Sequence, residues 1–260
     1  MNTRALITQI GPPLFFFAFF VLSWYALVEF FDIPPYLLPG PPRVAEAVST
    51  HADRLIDAAL LTAMGALSGF ALSFAFGFAV ALLFSQSRII ERGLYPYAIF
   101  LQTVPIVAIA PLIVLWIGYG LQGVVAVSFI ISLFPIIANT TAGLTQVDPR
   151  LLDLFAMNNA NRWHVLFKLR VPNAVPNMLT GARISSGLSV IGAIVGEFFA
   201  GYGTDDFGLG YLIIQTSGQA KTDYLFACIL FCTLLGLAIF SAVGLVSTVF
   251  SAVGAGNKST

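Results

Sequence analysis

The sequence predicts an all-α membrane protein with six transmembrane helices, on three observations. Hydrophobic residues make up 58% of the 260 and charged residues 9%, with a mean hydropathy of +0.91, far from the balance of a soluble domain. Charge-free stretches cover residues 5–28, 58–87, 93–147 and 224–257, and one span needs about 20 apolar residues. These stretches are continuously apolar rather than alternating, which excludes a transmembrane β-barrel.

The first stretch holds one helix, over 11–31. It is longer than the roughly 7–15-residue core of a cleaved signal. No small-residue cleavage pattern follows it, because Phe30-Phe31-Asp32-Ile33-Pro34 is bulky, so it reads as a retained span. A second helix is expected over 60–84. The run 93–147 is 55 residues long and has room for two spans, 95–117 and 122–143, around a turn at Gly118-Tyr119-Gly120. A fifth span is expected over 181–201, its stretch between Arg183 and Gly201 interrupted only by Glu197, and the last over 224–251. The chain reads as one domain, 1–260. Within it 1–58 is a first span with an outer segment, 59–251 a five-span core, and 148–172 a loop of different character.

Basic residues give the orientation. With the N-terminus inside, the inner segments hold Arg4, Arg88, Arg92, Arg150, Arg162, Lys168, Arg170, Arg183 and Lys258, and the outer ones Arg43, Arg54 and Lys221. That asymmetry obeys the positive-inside rule and puts both termini and the loop 148–172 in the cytoplasm. The stretch around Asp205 then lies outside.

The loop reads DPRLLDLFAMNNANRWHVLFKLRVP and is too basic for lipid. Asp148 suits an N-cap and Pro149 the first helical position. Leu151, Leu152 and Phe155 follow at helical spacing. Asn158 and Asn159 suit the end of that helix, since Asn tolerates the left-handed conformation. Asn161 suits the cap of a second helix through Arg162, Trp163, Val165, Leu166 and Phe167, which Pro172 is expected to stop. Two short helices at an angle form a knuckle fit to press on another protein. A basic amphipathic segment lying on anionic headgroups is the alternative.

Catalytic, cofactor and metal-binding patterns are missing. His51 and His164 have no partners at metal or triad spacing, and Cys228 and Cys232, one turn apart in the last span, read as packing residues. Without a basic patch beyond the loop, nucleic acid is not an expected partner. Inside the spans, Gln102, Thr103, Ser132 and Asn139 bring polar groups to membrane depth, and Pro105 and Pro111 break the third span's hydrogen bonding. Glu197 has two readings, an ionisable group in a transport pathway or a hydrogen-bonding brace. Gly181, Gly187, Gly192 and Gly196, with Ala182 and Ala193, allow close helix approach, in packing or at a dimer seam.

The loop also resembles the cytoplasmic signature of permeases of bacterial ABC importers, Glu-Ala-Ala, three residues, Gly, nine residues, Ile-x-Leu-Pro. Asp153-Leu154-Phe155, Asn159 and Leu169-Arg170-Val171-Pro172 stand at the same spacing, with Asn159 where the family has Gly. Leu38-Pro39-Gly40-Pro41-Pro42-Arg43 is similar to the segment after the first span in nitrate/sulfonate/taurine-type permeases. Thr103-Val104-Pro105 with Pro111 through Gly120, Val190 through Phe198, and Gly208 through Ile213 resemble their third span, fifth span and following loop.

The resemblance implies a type I, MetI-like importer permease of six spans with cytoplasmic coupling helices, in a bacterial inner membrane. It implies a permease pair, expected as a homodimer, with two copies of a separate ABC ATPase subunit and an extracytoplasmic substrate-binding protein. ATP hydrolysis would belong to that ATPase, and this chain would be no enzyme. Leu151, Leu152, Asp153, Leu154, Phe155, Asn159, Ala160, Arg162, Trp163 and Pro172 become the ATPase-coupling residues. Gln102, Thr103, Pro105, Ser132, Asn139 and Glu197 become the pathway candidates. The subfamily's substrates are nitrate, sulfonates and taurine, and vitamin precursors such as pyrimidines and riboflavin. The Gly-Ala-Ile-Val-Gly-Glu-Phe run and the aromatic third span lean toward the precursors, since Tyr97, Trp116 and Tyr119 could stack on a heterocycle. The rival classes are an intramembrane enzyme, which would need paired acids or His and Asp facing a cavity, and a proton-coupled secondary transporter. The latter would need ionisable groups deep in several spans, and only Glu197 and the marginal Glu29 qualify.

Overall fold

The expected third span, 95–117, forms two helices bent 100° from each other. In the computed structural model, which describes residues 3–201 and 208–256 and the side chains of 11–201 and 208–248, every element is helical. Lys258 and the side chain of Arg4, used in the charge count, and Asp205, expected on the outer side, lie outside the described residues. The helices are α1 (Thr3–Phe30), α2 (Pro41–Thr50), α3 (Ala52–Gln86), α4 (Arg88–Thr103), α5 (Ile106–Ile117), α6 (Leu121–Thr145), α7 (Pro149–Met157), α8 (Arg162–Val165), α9 (Val171–Ala200), α10 (Leu209–Gly218) and α11 (Thr222–Gly256). Leu166–Arg170, between α8 and α9, is a wide π turn. Among the described residues five helical runs are long and apolar enough to cross a membrane, and six if the bent pair α4–α5 is taken as one span.

Pro105 accounts for the break. A residue before proline is pushed out of the helical region, and Val104 is extended at φ −72°, ψ 125°. The Val104 N–H closes α4 on the Phe100 carbonyl, and α5 starts afresh behind Pro105. Pro111, expected to break the span too, sits inside α5 without ending it. The turn at Gly118-Tyr119-Gly120 forms as predicted, with φ +123° at Gly118 and +78° at Gly120.

Two further boundaries differ from the sequence reading. Helix α3 starts at Ala52 rather than 60, and α9 at Val171 rather than 181. Hydropathy marks where lipid begins, whereas backbone hydrogen bonding carries a helix on into water. Pro172 does not stop the second loop helix. In the π turn the Val171 N–H bonds the Leu166 carbonyl, five residues back. The widened turn takes up the register change a proline ring imposes. The chain therefore runs helical from Arg162 to Ala200.

The core is a three-helix seam of α3, α6 and α9, built on small residues. Helices α3 and α6 run parallel, as Gly65 meets Val124, Gly69 meets Ser128 and Gly77 meets Ile136. Helix α9 runs antiparallel to α6. A Cβ on Gly181 would lie 2.8 Å from the Pro135 carbonyl oxygen, and one on Gly196 2.9 Å from the Val124 Cα. Gly192 presses on Ser128 in the same way, so these three glycines pack within one chain, while Gly187 only approaches Phe240. Close backbones let hydroxyls bond across the seam. Ser73 Oγ and Ser132 Oγ are 2.7 Å apart, Ser185 Oγ donates to the Ser132 carbonyl at 2.6 Å, and Ser128 Oγ to the Ser189 carbonyl at 2.9 Å. Such bonds are worth on average about 0.6 kcal/mol each in a membrane. Helix α1 buries none of its apolar window and meets the rest through contacts such as Trp24 on Phe226, with ring centroids 5.8 Å apart.

Candidate functional site

The knuckle forms from its own capping residues. Asp148 Oδ1 accepts the Arg150 N–H at 2.9 Å, with Pro149 opening α7. At the other end Asn159 is left-handed, φ +51°. Its N–H bonds the Ala156 carbonyl, and the Ala160 N–H bonds the Phe155 carbonyl, both at 3.0 Å. That bond pair is a Schellman turn, the usual place for glycine. Asn161 Oδ1 then accepts the His164 N–H at 2.8 Å and starts α8.

The C-terminal flank of the knuckle is tied to the bundle at two points. Arg170 Nη1 donates to the Ser85 carbonyl at the end of α3 (2.7 Å), and Asn173 Nδ2 to the Gly143 carbonyl in α6 (3.0 Å). Leu166 and Leu169 are buried. Helix α7, by contrast, has no buried residue. Leu152 and Phe155 are half-buried, whereas Leu151, Asp153, Leu154 and Met157 face outward, Met157 with 84% of its surface exposed. Across the turn Trp163 stacks on exposed Phe167 with centroids 6.1 Å apart, and the Arg162 guanidinium lies over the Trp163 ring. Leu154, Phe155, Asn159, Ala160, His164 and Lys168 are among the residues around a hollow of about 420 Å³. Pro172 is exposed beyond this group, at the start of α9.

The pathway candidates are not brought together within one chain. Ser132 is fully buried in the three-helix seam. The Asn139 amide is bonded to the Pro135 carbonyl at 2.8 Å. Gln102, Thr103 and Pro105 are exposed at the α4–α5 elbow. That elbow lies at the level of the middle of α6, because Ala98 packs with Leu133 and Ala110 with Val127. Tyr97, Trp116 and Tyr119 are exposed on the same two helices and the turn after them.

Glu197 is buried, at the opposite end of the bundle from the knuckle. Its Oε2 accepts the Gly210 N–H at 2.7 Å and the Thr62 hydroxyl at 3.0 Å, and Thr62 Oγ1 accepts the Leu209 N–H at 2.9 Å. An acid of α9 and a threonine of α3 thus cap α10, whose own N-cap is Gly208. A carboxylate suits a helix N-terminus because free N–H groups point there. Glu197 Oε1 has no hydrogen-bond partner among the described residues. The residue lines a hollow of about 260 Å³ with Met64, Gly120, Leu121 and Val124 among its walls.

Sequence reasoning missed Thr62, one hydroxyl among many, and the depth of Arg183. By sequence Arg183 belongs to the inner boundary, yet it lies within α9 between Gly181, level with Pro135 and Asn139, and Ser185, bonded to Ser132. The signal was available in Val171–Thr180, which is uncharged and able to extend the helix.

Comparison with known proteins gives these features a family. Residues 73–253 match the model described as binding-protein-dependent transport system inner membrane component. The chain is 34% identical to a probable ABC transporter permease protein of Haemophilus influenzae, covering 89% of this chain and 93% of that one. It is also 34% identical to the formylaminopyrimidine transport permease protein ThiX of Halalkalibacterium halodurans (90% and 92% covered), and 32% identical to the riboflavin transport system permease protein RibX of Chloroflexus aurantiacus (86% and 83%). The chain belongs to the binding-protein-dependent inner-membrane components, as a multi-pass permease subunit of an ABC importer.

Proposed function

We propose that this permease works as a homodimeric pair, passing a small heterocyclic solute between its two copies and taking its drive from two ATPase subunits seated on the knuckles. The knuckle geometry carries this reading. Helix α7 is capped at both ends yet buries nothing, so Leu151, Leu154 and Met157 stand ready for a partner's groove. Closure of the ATPase pair would push α7, and the bonds from Arg170 to Ser85 and from Asn173 to Gly143 would pass that push to α3 and α6. The basic loop then faces the cytoplasm, both termini with it, and a binding protein delivers solute at the opposite side. The core 59–251 acts as one unit with 1–58 as its first span.

The exposed elbow supports the paired arrangement. A broken helix at membrane depth is tolerated where it is buried by protein or lines a watery cavity, and Gln102, Thr103 and Pro105 meet neither condition in one chain. A heterocycle fits the exposed Tyr97, Trp116 and Tyr119 and agrees with relatives named for formylaminopyrimidine and riboflavin. A relative named for aliphatic sulfonates, at 27% identity, keeps those solutes as the second reading. The test is ATP-driven uptake by vesicles holding the permease, ATPase and binding protein, with riboflavin, formylaminopyrimidine and an alkanesulfonate as labelled solutes. Uptake of a heterocycle that needs all three components supports the proposal. Uptake without ATPase, driven by a proton gradient, overturns it.

A further inference from the structure

Arg183 is a charge level with the midpoint of α6 that has no counter-charge among the described residues. Its neighbours in α9 fix its depth. Gly181 meets α6 at Pro135 and Asn139, and Ser185 bonds the carbonyl of Ser132, close to the midpoint of α6. The side chain is exposed. Its guanidinium carbon lies 4.6 Å from the centroid of Phe240, and one turn further along α11 Gly244 leaves room beside it, since a Cβ there would be 3.4 Å from Arg183 Nε. The ring and the bare glycine make a seat that holds the guanidinium in place and leaves its donors available.

No acid among the described residues answers that charge. Of the acids among the described residues, Glu197 alone is buried in a span. It is 14 residues further along α9, roughly 21 Å away at helical rise, and engaged at the cap of α10. The other described acids stand near the ends of α1, α3, α4 and α11, in α2, in the knuckle or in loops. A second copy brings the same set, so pairing the chain with itself supplies no partner either. A lone guanidinium facing hydrocarbon is costly, and intramembrane charges face water or a ligand.

We infer that Arg183 is an anion-binding residue of the membrane passage, seated on Phe240 to meet the acidic or paired-carbonyl oxygens of a solute. This rests on the reading that solute passes along the chain's exposed face, and it adds what the passage selects. The α4–α5 elbow lies at the same depth. A phosphate of a deeply drawn lipid headgroup offers the same oxygens, and the test separates the two sources.

The test uses single cysteines in the assembled transporter, with Cys228→Ala and Cys232→Ala. They react with two membrane-impermeant thiosulfonates, one carrying a sulfonate and one a trimethylammonium. Ile184→Cys, beside Arg183 and exposed, reports the charge, and Gln102→Cys reports the elbow. The sulfonate reagent should label Ile184→Cys roughly five- to tenfold faster than the cation, the difference one charge makes at about 7 Å in water. Arg183→Gln should bring the ratio to one or below, and Arg183→Lys should keep it. Where Arg183→Gln does not assemble, about 1 M salt should lower the ratio in the Arg183 protein. Labelling at Gln102→Cys but not at Ile184→Cys puts Arg183 against lipid and overturns the inference alone. Equal rates with Arg183 present overturn it as well. No labelling at either position overturns the passage reading itself.

Discussion

Glu197 and Gly210 are joined across two helices, the carboxylate Oε2 accepting the Gly210 N–H at 2.7 Å. The bond lets an acid of one span cap a helix that has only Gly208 at its own N-cap. A Cβ added at Gly208 would collide with the Glu197 carboxylate. Space and charge at this end of the bundle are therefore fitted to each other.

Glu197→Gln should retain most of the stability, because an amide oxygen still accepts from Gly210 and Thr62. Glu197→Ala should destabilise by about 1–3 kcal/mol, the cost of leaving buried donors unmet. Gly208→Ala should cost a similar amount, about 1–3 kcal/mol, through overpacking. Thermal unfolding of the purified transporter reads all three. Equal stability of the Glu197→Ala and Glu197→Gln proteins would remove the cap from the account.

Asn159 gives a second prediction. Asn159→Gly should leave uptake intact, since glycine holds φ +51° without strain. Asn159→Val should strain the turn by roughly 1–2 kcal/mol and lower uptake several-fold, with the amount of permease in the membrane unchanged. Uptake rates normalised to permease content check the pair, and equal rates for the two variants would show that the turn's shape does not matter.

Orientation is tested by single cysteines. A cysteine at Asn161, in the knuckle, should react only from the cytoplasmic side. One at Gln219, in the exposed turn between α10 and α11, should react only from the other. The reverse pattern would invert the assigned topology and detach the knuckle from any cytoplasmic ATPase.

The parts legible in the sequence were those set by neighbours along the chain. Asp148, Asn159 and Asn161 announce their caps, and Gly118 and Gly120 their turn, because each acts on backbone groups within a few residues. Small residues in the fifth span announced close packing, though not that α6 of the same chain would fill it. What stayed hidden depends on distant segments. Thr62 and Glu197 meet at α10 from opposite parts of the sequence. The 100° bend behind Pro105 needs α6 to direct both arms. Pro172 looked like a stop because a π turn ahead of it cannot be read from residue types. Arg183 looked like a boundary because an arginine is assumed to end a span.

The account's central claim is that α7 delivers the drive from a separate ATPase, and Ala156→Pro tests it most directly. A proline there costs a helix interior about 3 kcal/mol, in a nine-residue helix that buries nothing to compensate. ATP-driven uptake by vesicles carrying the variant with ATPase and binding protein should fall at least about tenfold, roughly 1.4 kcal/mol of lost coupling. The permease should still insert, and labelling at Gln219→Cys should be unchanged. Uptake at the unmodified rate would contradict the claim.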